Sequence, residues 1–309
     1  MVEIYPVKFK NPVIEKAKEK DDVPQRILQE IEDNGIKLKD RDILVVTSKI
    51  VSILEGRMYK KSKISIKKRV KLLAKLFKLD PALLQKIFDE SRIIGILPQK
   101  HIAKIKGILE HQMQFSTNPE ETRISVKKRL AYVVMTKKNN IIMDSAGIDI
   151  GNLPKDHLVL LPKDPVESAR KIRMGIKKQL GIEVAVIITD TLYSPRRNGA
   201  MDLCLGSSGI FPMTLNEAKL DLFGTAKMGG TDVIVDSIAA MAGSIMGATH
   251  ERTPAAVFRG LEFEPWDDEK PLEDLLFYPK KTKIFGGILT FIWTVIFKGI
   301  QYILFLKSK

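Results

Sequence analysis

The stretch VIITDT at residues 186–191 is an apolar run that ends in an acid and a hydroxyl. An uninterrupted run of Val and Ile is typical of a buried β-strand, which we expect to end at Asp190. Asp190 and Thr191 therefore place hard oxygen ligands on a rigid element, where they suit a hydrated divalent cation beside a phosphate. A second phrase, SAGIDIGN at residues 145–152, supplies another carboxylate, that of Asp149. We expect the two aspartates to meet around one metal ion.

Length and composition indicate a folded chain with an excess of positive charge. The 309 residues are 44% hydrophobic and carry a formal net charge of +14. A chain of this length can bury a sizeable core in one large domain or two smaller ones. The single cysteine, Cys204, excludes an internal disulfide framework and is usual in a reducing compartment. The N-terminus shows no basic stretch followed by an apolar one, so we expect no secretory signal.

A clear part of the positive charge lies between residues 59 and 78, a stretch without an acidic residue. Apolar residues recur in it at helical spacing, namely Ile66, Val70, Leu73 and Phe77. This pattern predicts an amphipathic basic helix. Its charged face could simply be solvated, or it could attract anionic lipid. Nucleic acid is not expected as a partner, because no aromatic residues are interleaved for base stacking.

A second outlier is the apolar run at residues 284–306, in which Lys298 is the only charged residue. Roughly 20 apolar residues suffice to span a bilayer as a helix. The polar residues recur on one helix face: Thr290, Thr294, Lys298 and Gln301. The run could span the membrane, lie in its interface, or dock on its own domain. We predict attachment to the cytoplasmic side of the membrane and leave spanning and interfacial placement open.

The pattern of elements predicts a body at residues 1–264, a linker at 265–283 and the helix at 284–306. Strands are expected at residues 2–7, at 43–47, and in a hairpin over 131–144 with the tip Lys-Lys-Asn-Asn. Helices are expected at residues 164–180, with Asp164 as the N-cap, and at 231–247. Residues 102–130 are polar and mixed, and we treat them as an insert.

Taken one at a time, the remaining motifs are weak. The chain has neither GxxxxGK[ST] nor a dinucleotide glycine fingerprint. The tetrad GSSG at residues 206–209 could hold a phosphate with its N–H groups, or could be a plain turn. Arg196 and Arg197 could neutralise an anionic substrate, or could be solvated.

The order of the motifs is more specific than any one of them. DRDILVVTSKIVS-ILEGR, SAGIDIGN, LLPKDPVESA, VIITDT-LYSPRRNG, GSSGIFP, DLFG, the small-residue helix ending in IMG, and TPAAVFRG follow one another over residues 1–262. In this order they resemble the coenzyme F420-0:gamma-glutamyl ligase family. The resemblance implies an α+β body with a mixed sheet, which dimerises through intertwined protomers. It also implies GTP-dependent ligation of L-glutamate to a small phosphate-linked acceptor through an acyl phosphate.

Site residues follow from the resemblance by position. Asp149 and Asp190 match metal ligands, for Mg²⁺ or Mn²⁺, and Thr191 matches a ligand of a second metal. The residues that match nucleotide contacts are Ser48, Lys49, Asn152, Met246, Gly247 and Thr249. Arg197 is the candidate substrate contact. The resemblance assigns no catalytic acid or base.

The chain also departs from the family pattern. A nucleotide-binding Lys is replaced by Ile53, a second-metal ligand by Ala248, and a Gly-Arg pair by Tyr193 and Ser194. The Asn that opens the usual NAGID phrase is Ser145 here. These departures favour a second hypothesis, a non-catalytic, membrane-anchored homologue that binds nucleotide or metal and acts as a scaffold. The retained Asp149, Asp190 and Thr191 favour the ligase.

Overall fold

A computed structural model of the chain describes residues 1–9, 22–98, 113–128, 132–193, 199–268 and 276. Residues Met1–Glu269 form one compact unit. The described strands, in chain order, are β1 (Glu3–Val7), β2 (Ile43–Thr47), β3 (Met58–Lys60), β4 (Arg92–Pro98), β5 (Tyr132–Lys138), β6 (Ile141–Asp144), β7 (His157–Val159), β8 (Ala185–Tyr193), β9 (Ala200–Ser208) and β10 (Ala255–Arg259). The described helices are α1 (Val23–Asp33), α2 (Ser48–Leu54), α3 (Lys68–Phe77), α4 (Pro81–Glu90), α5 (Pro119–Lys128), α6 (Pro165–Leu180) and α7 (Ile234–Met246).

The centre of the body is a five-stranded mixed sheet in the order β1-β10-β2-β8-β9. Strands β2 and β8 are parallel, and the other neighbours are antiparallel. The predicted mixed α+β fold is therefore confirmed. Strands β2 and β8 are flanked by other strands and covered by helices. Buried strands of this kind have long apolar stretches in their sequences. Their register pairs Thr47 with Thr189, so both strands bring their following residues to the same edge.

Helices α1, α2 and α6 bury their apolar faces in the main core, together with Leu44 and Val46 of β2. The predicted helix at residues 164–180 is confirmed, and Asp164 caps it by accepting a hydrogen bond from the N–H of Glu167. Gly181 ends the helix in a left-handed conformation, with φ of 70°, that favours glycine. Helix α7 packs against β8, β9 and β10.

A smaller antiparallel sheet, β4-β5-β6, packs with α3 and α4 around a second core. The predicted hairpin is confirmed, but its tip has two residues instead of four. Asn139 and Asn140 have φ of 48° and 61° and form the turn. Two consecutive left-handed residues match the twist of a tight hairpin, which lets the strands continue through Lys138.

One expectation about β8, the strand that carries Asp190, is wrong. We expected it to end at Asp190, whereas β8 continues to Tyr193. The physical reason is its antiparallel partner β9, which pairs Asp190 with Leu203 and Tyr193 with Ala200 beyond the point where β2 has ended. Asp190 and Thr191 therefore lie within a paired strand.

Two other predicted segments are largely outside this description. Of the expected insert, residues 113–128 are described and contain α5. The apolar run at 284–306 lies outside the described residues. None of the helices that the structure does describe combines the length and apolarity needed to cross a bilayer. Membrane attachment and the intertwined dimer stay predictions.

Candidate active site at the end of strand β2

The site begins where β2 gives way directly to α2. Ser48 is the first residue of α2 and is buried. Since Thr47 pairs with Thr189 in the neighbouring parallel strand, Ser48 lies beside Asp190. Its hydroxyl donates a hydrogen bond to the Asp190 carboxylate. The parallel pairing thus brings together two predicted site residues that are far apart in the sequence.

The Asp190 carboxyl has an unusual protonation equilibrium. Burial raises its pKa to about 7, although the N–H of Thr191 and the hydroxyl of Ser48 both donate to it and lower the pKa. The negative charges of Asp149 and Asp202 raise the pKa further. The carboxylate of Asp149 is therefore one of the negative charges that act on Asp190.

The loop after β6 provides Asp149 and holds it against α2. The Lys49 ammonium lies 2.5 Å from Oδ2 of Asp149 and donates to the carbonyl of Gly151 at 3.3 Å. The N–H of Gly151 donates to Oδ1 of the same aspartate at 2.6 Å. The backbone of Asp149 exchanges two hydrogen bonds with Val159 of β7. The carboxylate is therefore fixed from both its backbone and its side chain, and both ends of the Lys49–Asp149 pair remain partly exposed.

A third segment joins the site through Asn152. This residue has a φ of 51°, and its side-chain amide donates to the carbonyl of Thr249 at 2.8 Å. Glu251 orders the same loop, since it accepts hydrogen bonds from the N–H of Thr249 at 2.7 Å and from its hydroxyl at 2.9 Å. The backbone N–H groups of Glu251 and Thr249 and the Thr249 hydroxyl lower the pKa of the Glu251 carboxyl.

Of the three nucleotide contacts predicted at the end of α7, one is buried and two are exposed. Met246 is buried in the core, so its side chain cannot reach a ligand. Gly247 follows the helix with a φ of 70° and is exposed, as is Thr249. A nucleotide at this loop would therefore meet backbone groups and the Thr249 hydroxyl.

Asp202 is a site residue that the sequence reasoning missed. The hydroxyl of Thr191 donates to Oδ1 of Asp202 at 2.7 Å, because the two residues face each other across β8 and β9. Burial raises the pKa of Asp202, and the bond from Thr191 opposes this. The pattern AMDLCLG shows an acid within an apolar strand, but the pairing register that brings it to Thr191 could not be read from it.

The weaker sequence motifs lie elsewhere. Gly209 of the GSSG tetrad is near the opposite end of β8, where Val186 pairs with Ser208. Its N–H and the Ser208 hydroxyl both donate to the carboxylate of Asp268, at 3.2 and 2.5 Å. The tetrad therefore binds an anionic group of the chain itself. Arg197, the predicted substrate contact, lies outside the described residues.

The departures from the family pattern differ in their surroundings. Ile53, which is part of α2, is 2% exposed and belongs to the main core. Ala248 and Tyr193 are exposed. Ser194 lies outside the described residues, and Ser145 opens the loop with a φ of 49°.

The donor set fits a hard divalent cation. Among the described residues, no three Asp, Glu, His or Cys side chains come together as a complete ligand set. The oxygens of Asp149, Asp190 and Thr191 nevertheless suit Mg²⁺ or Mn²⁺, and the repulsion between the two carboxylates is of the kind that a cation relieves. Mg²⁺ commonly keeps water and substrate phosphate oxygens as its other ligands.

Comparison with known proteins decides the family. The sequence profile described as F420-0:Gamma-glutamyl ligase matches residues 12–260. The chain belongs to this ligase family. The F420-0:gamma-glutamyl ligase match includes every described site residue named above and ends before the apolar run at 284–306.

Curated relatives agree with the family match. The coenzyme F420:L-glutamate ligase of Methanocaldococcus jannaschii is 30% identical over 248 residues, which is 80% of this chain and 86% of the relative. The Methanopyrus kandleri protein of the same name is 27% identical over 254 residues, 82% of this chain and 86% of its own length. The Archaeoglobus fulgidus protein is 29% identical over 260 residues, 84% and 88% of the two chains. The chain is thus an enzyme of an amide-bond-forming class.

Proposed function

We propose that this protein joins L-glutamate to the carboxylate of a phosphate-linked acceptor of the coenzyme F420-0 type and uses GTP to drive the reaction. The observation that carries the proposal is the arrangement around Asp190. Three segments distant in sequence, represented by Lys49, Asp149 and Thr249, meet there through direct hydrogen bonds and an ion pair. An anionic nucleotide needs such a mixture of an ammonium, N–H donors and metal-binding oxygens.

The proposed reaction has two transfers. A carboxylate oxygen of the acceptor attacks the γ-phosphorus of GTP, and GDP leaves with the electrons of the broken P–O bond. The amine of L-glutamate then attacks the acyl carbon, inorganic phosphate leaves, and the new amide nitrogen loses a proton. Both steps depend mainly on positioning and on stabilisation of charge that develops on oxygen.

The residues of the site have distinct parts in this scheme. Lys49, which pairs with Asp149, would turn its ammonium to phosphate oxygens, while the Asn152–Thr249 contact holds the two nucleotide loops together. Asp149 and Asp190 would hold Mg²⁺ or Mn²⁺, with Thr191 at a second ion. A bound metal of this kind screens phosphate charge and orients the groups that react.

The test is product formation by the full-length chain. We expect incubation with GTP, L-glutamate, Mg²⁺ and coenzyme F420-0 to release phosphate and to add the mass of a glutamyl residue to the acceptor. Asp190→Asn should abolish both signals, and Asp89→Asn, at a partly exposed surface position on α4, should leave them unchanged. Equal phosphate release by Asp190→Asn and by the unaltered chain would contradict the proposal.

The second candidate function is the non-catalytic scaffold. It is favoured by Ile53, which is buried in the core, and by Ala248, which offers no metal ligand. In that case calorimetry would detect GTP binding, but no acceptor would gain mass under any condition tested. Formation of a glutamylated product would exclude this alternative.

We also propose that the protein is a homodimer attached to the cytoplasmic side of the membrane through residues 284–306. Light scattering after size-exclusion chromatography measures the first property. Truncation after residue 278 tests the second, because it should move the protein from the membrane pellet to the supernatant. A full-length chain that stays in the supernatant without detergent would contradict the attachment.

A further inference from the structure

Helix α3 shows two opposite faces. Val70 and Ala74 are buried against α4 and β5, and Leu73 and Phe77 pack beside them. Each residue of a helix turns by about 100°, so Leu72 and Leu76 point away from this buried face. They are indeed 70% and 68% exposed. Leu72 and Leu76 therefore lie one turn apart on the face of α3 opposite the core, which we call its free face.

Positive charge surrounds the two leucines. Exposed basic residues flank them on the same helix, namely Lys68, Arg69, Lys71, Lys75 and, at its end, Lys78. No acidic residue occurs between Glu55 and Asp80. In the part of the chain that the structure describes, Lys61 pairs with Asp80, but Lys68, Lys71 and Lys75 have no carboxylate partner.

The lysines of α6 provide a contrast within the same protein. Lys171 pairs with Glu167 at 3.9 Å, and Lys177 pairs with Glu183. These two lysines therefore have carboxylate partners, unlike Lys68, Lys71 and Lys75 of α3. The α3 face combines uncompensated positive charge with exposed apolar side chains, and an ordinary solvated face has no need of the latter.

We propose that the free face of α3 docks on an anionic lipid surface. Lysines and arginines at its rim approach the lipid phosphates, while Leu72 and Leu76 enter the boundary between headgroups and acyl chains. Basic and apolar residues on one helix face are the combination by which interfacial helices bind anionic membranes. This interaction is separate from the proposed ligase activity and uses none of the residues around Asp190.

A dye that reports its environment can test the docking at one position. In the full-length chain with Leu72→Cys, the new thiol can be labelled selectively because Cys204 is buried. The dye emission should shift to the blue with phosphatidylcholine vesicles that contain phosphatidylserine, and not with phosphatidylcholine alone. At about 1 M salt, where the Debye length is about 3 Å, the shift should disappear. As a control, the same dye attached through Met174→Cys, at an exposed position on α6, should show no shift.

Variants that remove positive charge test the contribution of the α3 lysines to docking. Lys68→Gln, Lys71→Gln and Lys75→Gln together should lower the docking equilibrium of α3 on anionic vesicles, as reported by the dye at position 72, about a hundredfold, since each lysine near such a surface contributes roughly fivefold. The matched variant on α6, with Lys171, Lys177 and Lys178 changed to Gln, should bind as the parent does. Circular dichroism checks that both variants fold.

Three outcomes would overturn the proposal. One is a dye at position 72 that shifts with neither vesicle. Another is an equal shift with both vesicles, which would place the chain on lipid without a role for charge. The third is a shift with single-stranded RNA in the absence of any shift with anionic vesicles, because the face would then bind nucleic acid.

Discussion

Substituting Gly243 by Ala tests how closely helix α7 holds Asp202 in the site. A Cβ at Gly243 would lie 2.6 Å from Cγ of Asp202 and 2.9 Å from its Cβ. The second distance is about 0.5 Å short of the 3.4 Å at which ordinary contact begins. Because a Cβ is fixed to the backbone, α7 and β9 have to separate, and the bond between Thr191 and Asp202 has to stretch.

The expected magnitude follows from two opposing effects. Overpacking of this kind costs roughly 1–3 kcal/mol. Gly→Ala within a helix by itself stabilises by about 0.5–1 kcal/mol. We therefore expect Gly243→Ala to lower the free energy of unfolding by about 1 kcal/mol, and by no more than about 2.5 kcal/mol, in the parent chain. In a chain that already carries Asp202→Gly, the side chain of residue 202 no longer obstructs residue 243. Gly243→Ala should then stabilise the chain by about 0.5–1 kcal/mol.

Urea titration of the four chains of this double-mutant cycle measures the coupling between the two positions. Ser244→Ala, at an exposed position on the same helix, is the control and should change the free energy by less than about 0.5 kcal/mol. A loss of the same size in both backgrounds would refute the steric argument, because the cost would then arise from the helix and not from Asp202.

Two further predictions concern stability away from the site. Arg259→Met should lower the free energy of unfolding by roughly 3–5 kcal/mol in urea titration, since it leaves the Asp42 carboxylate, 1% exposed, without its bidentate partner. Arg259→Lys should lose less, and equal losses would show that the paired charge is unimportant. Burial raises the pKa of Glu90, but hydrogen bonds and charges from Lys138 and Arg57 outweigh it and hold the pKa below the ordinary 4.5. The pairing therefore contributes its full stability above this value and loses it as the pH falls through the lower folded pKa. In Glu90→Gln, acid titrations of the unfolding free energy should show a shallower slope in that range, and an unchanged slope would contradict the assignment.

The sequence predicted those elements whose cause is local. The run ILVVT gives the bounds of β2 because its first four residues are apolar and a helix begins directly after Thr47. Helix α6 carries its own start signal, the cap at Asp164, and its own end at Gly181. The hairpin between β5 and β6 was likewise visible, since two asparagines tolerate the left-handed turn it needs.

Elements that depend on a distant partner were predicted incompletely. Strand β8 extends three residues past Asp190 because β9, which begins only at Ala200, pairs with it. The family pattern named Asp149, Lys49 and Asn152 as candidate site residues, but it did not give their mutual contacts. Nothing in the sequence showed that the Lys49 ammonium pairs with Asp149 or that Asn152 binds the backbone of Thr249.

The sequence by itself determined the family, the strand that carries Asp190 and the charge pattern of the basic helix, because each resides in the order or spacing of residues along the chain. Tertiary structure alone decided which oxygens meet at the site. Parallel pairing brings Ser48 to Asp190, and antiparallel pairing brings Asp202 to Thr191. The helical spacing of Val70, Leu73 and Phe77 already indicated the buried face of α3, whereas only the packing of α4 and β5 shows that Leu72 and Leu76 remain exposed.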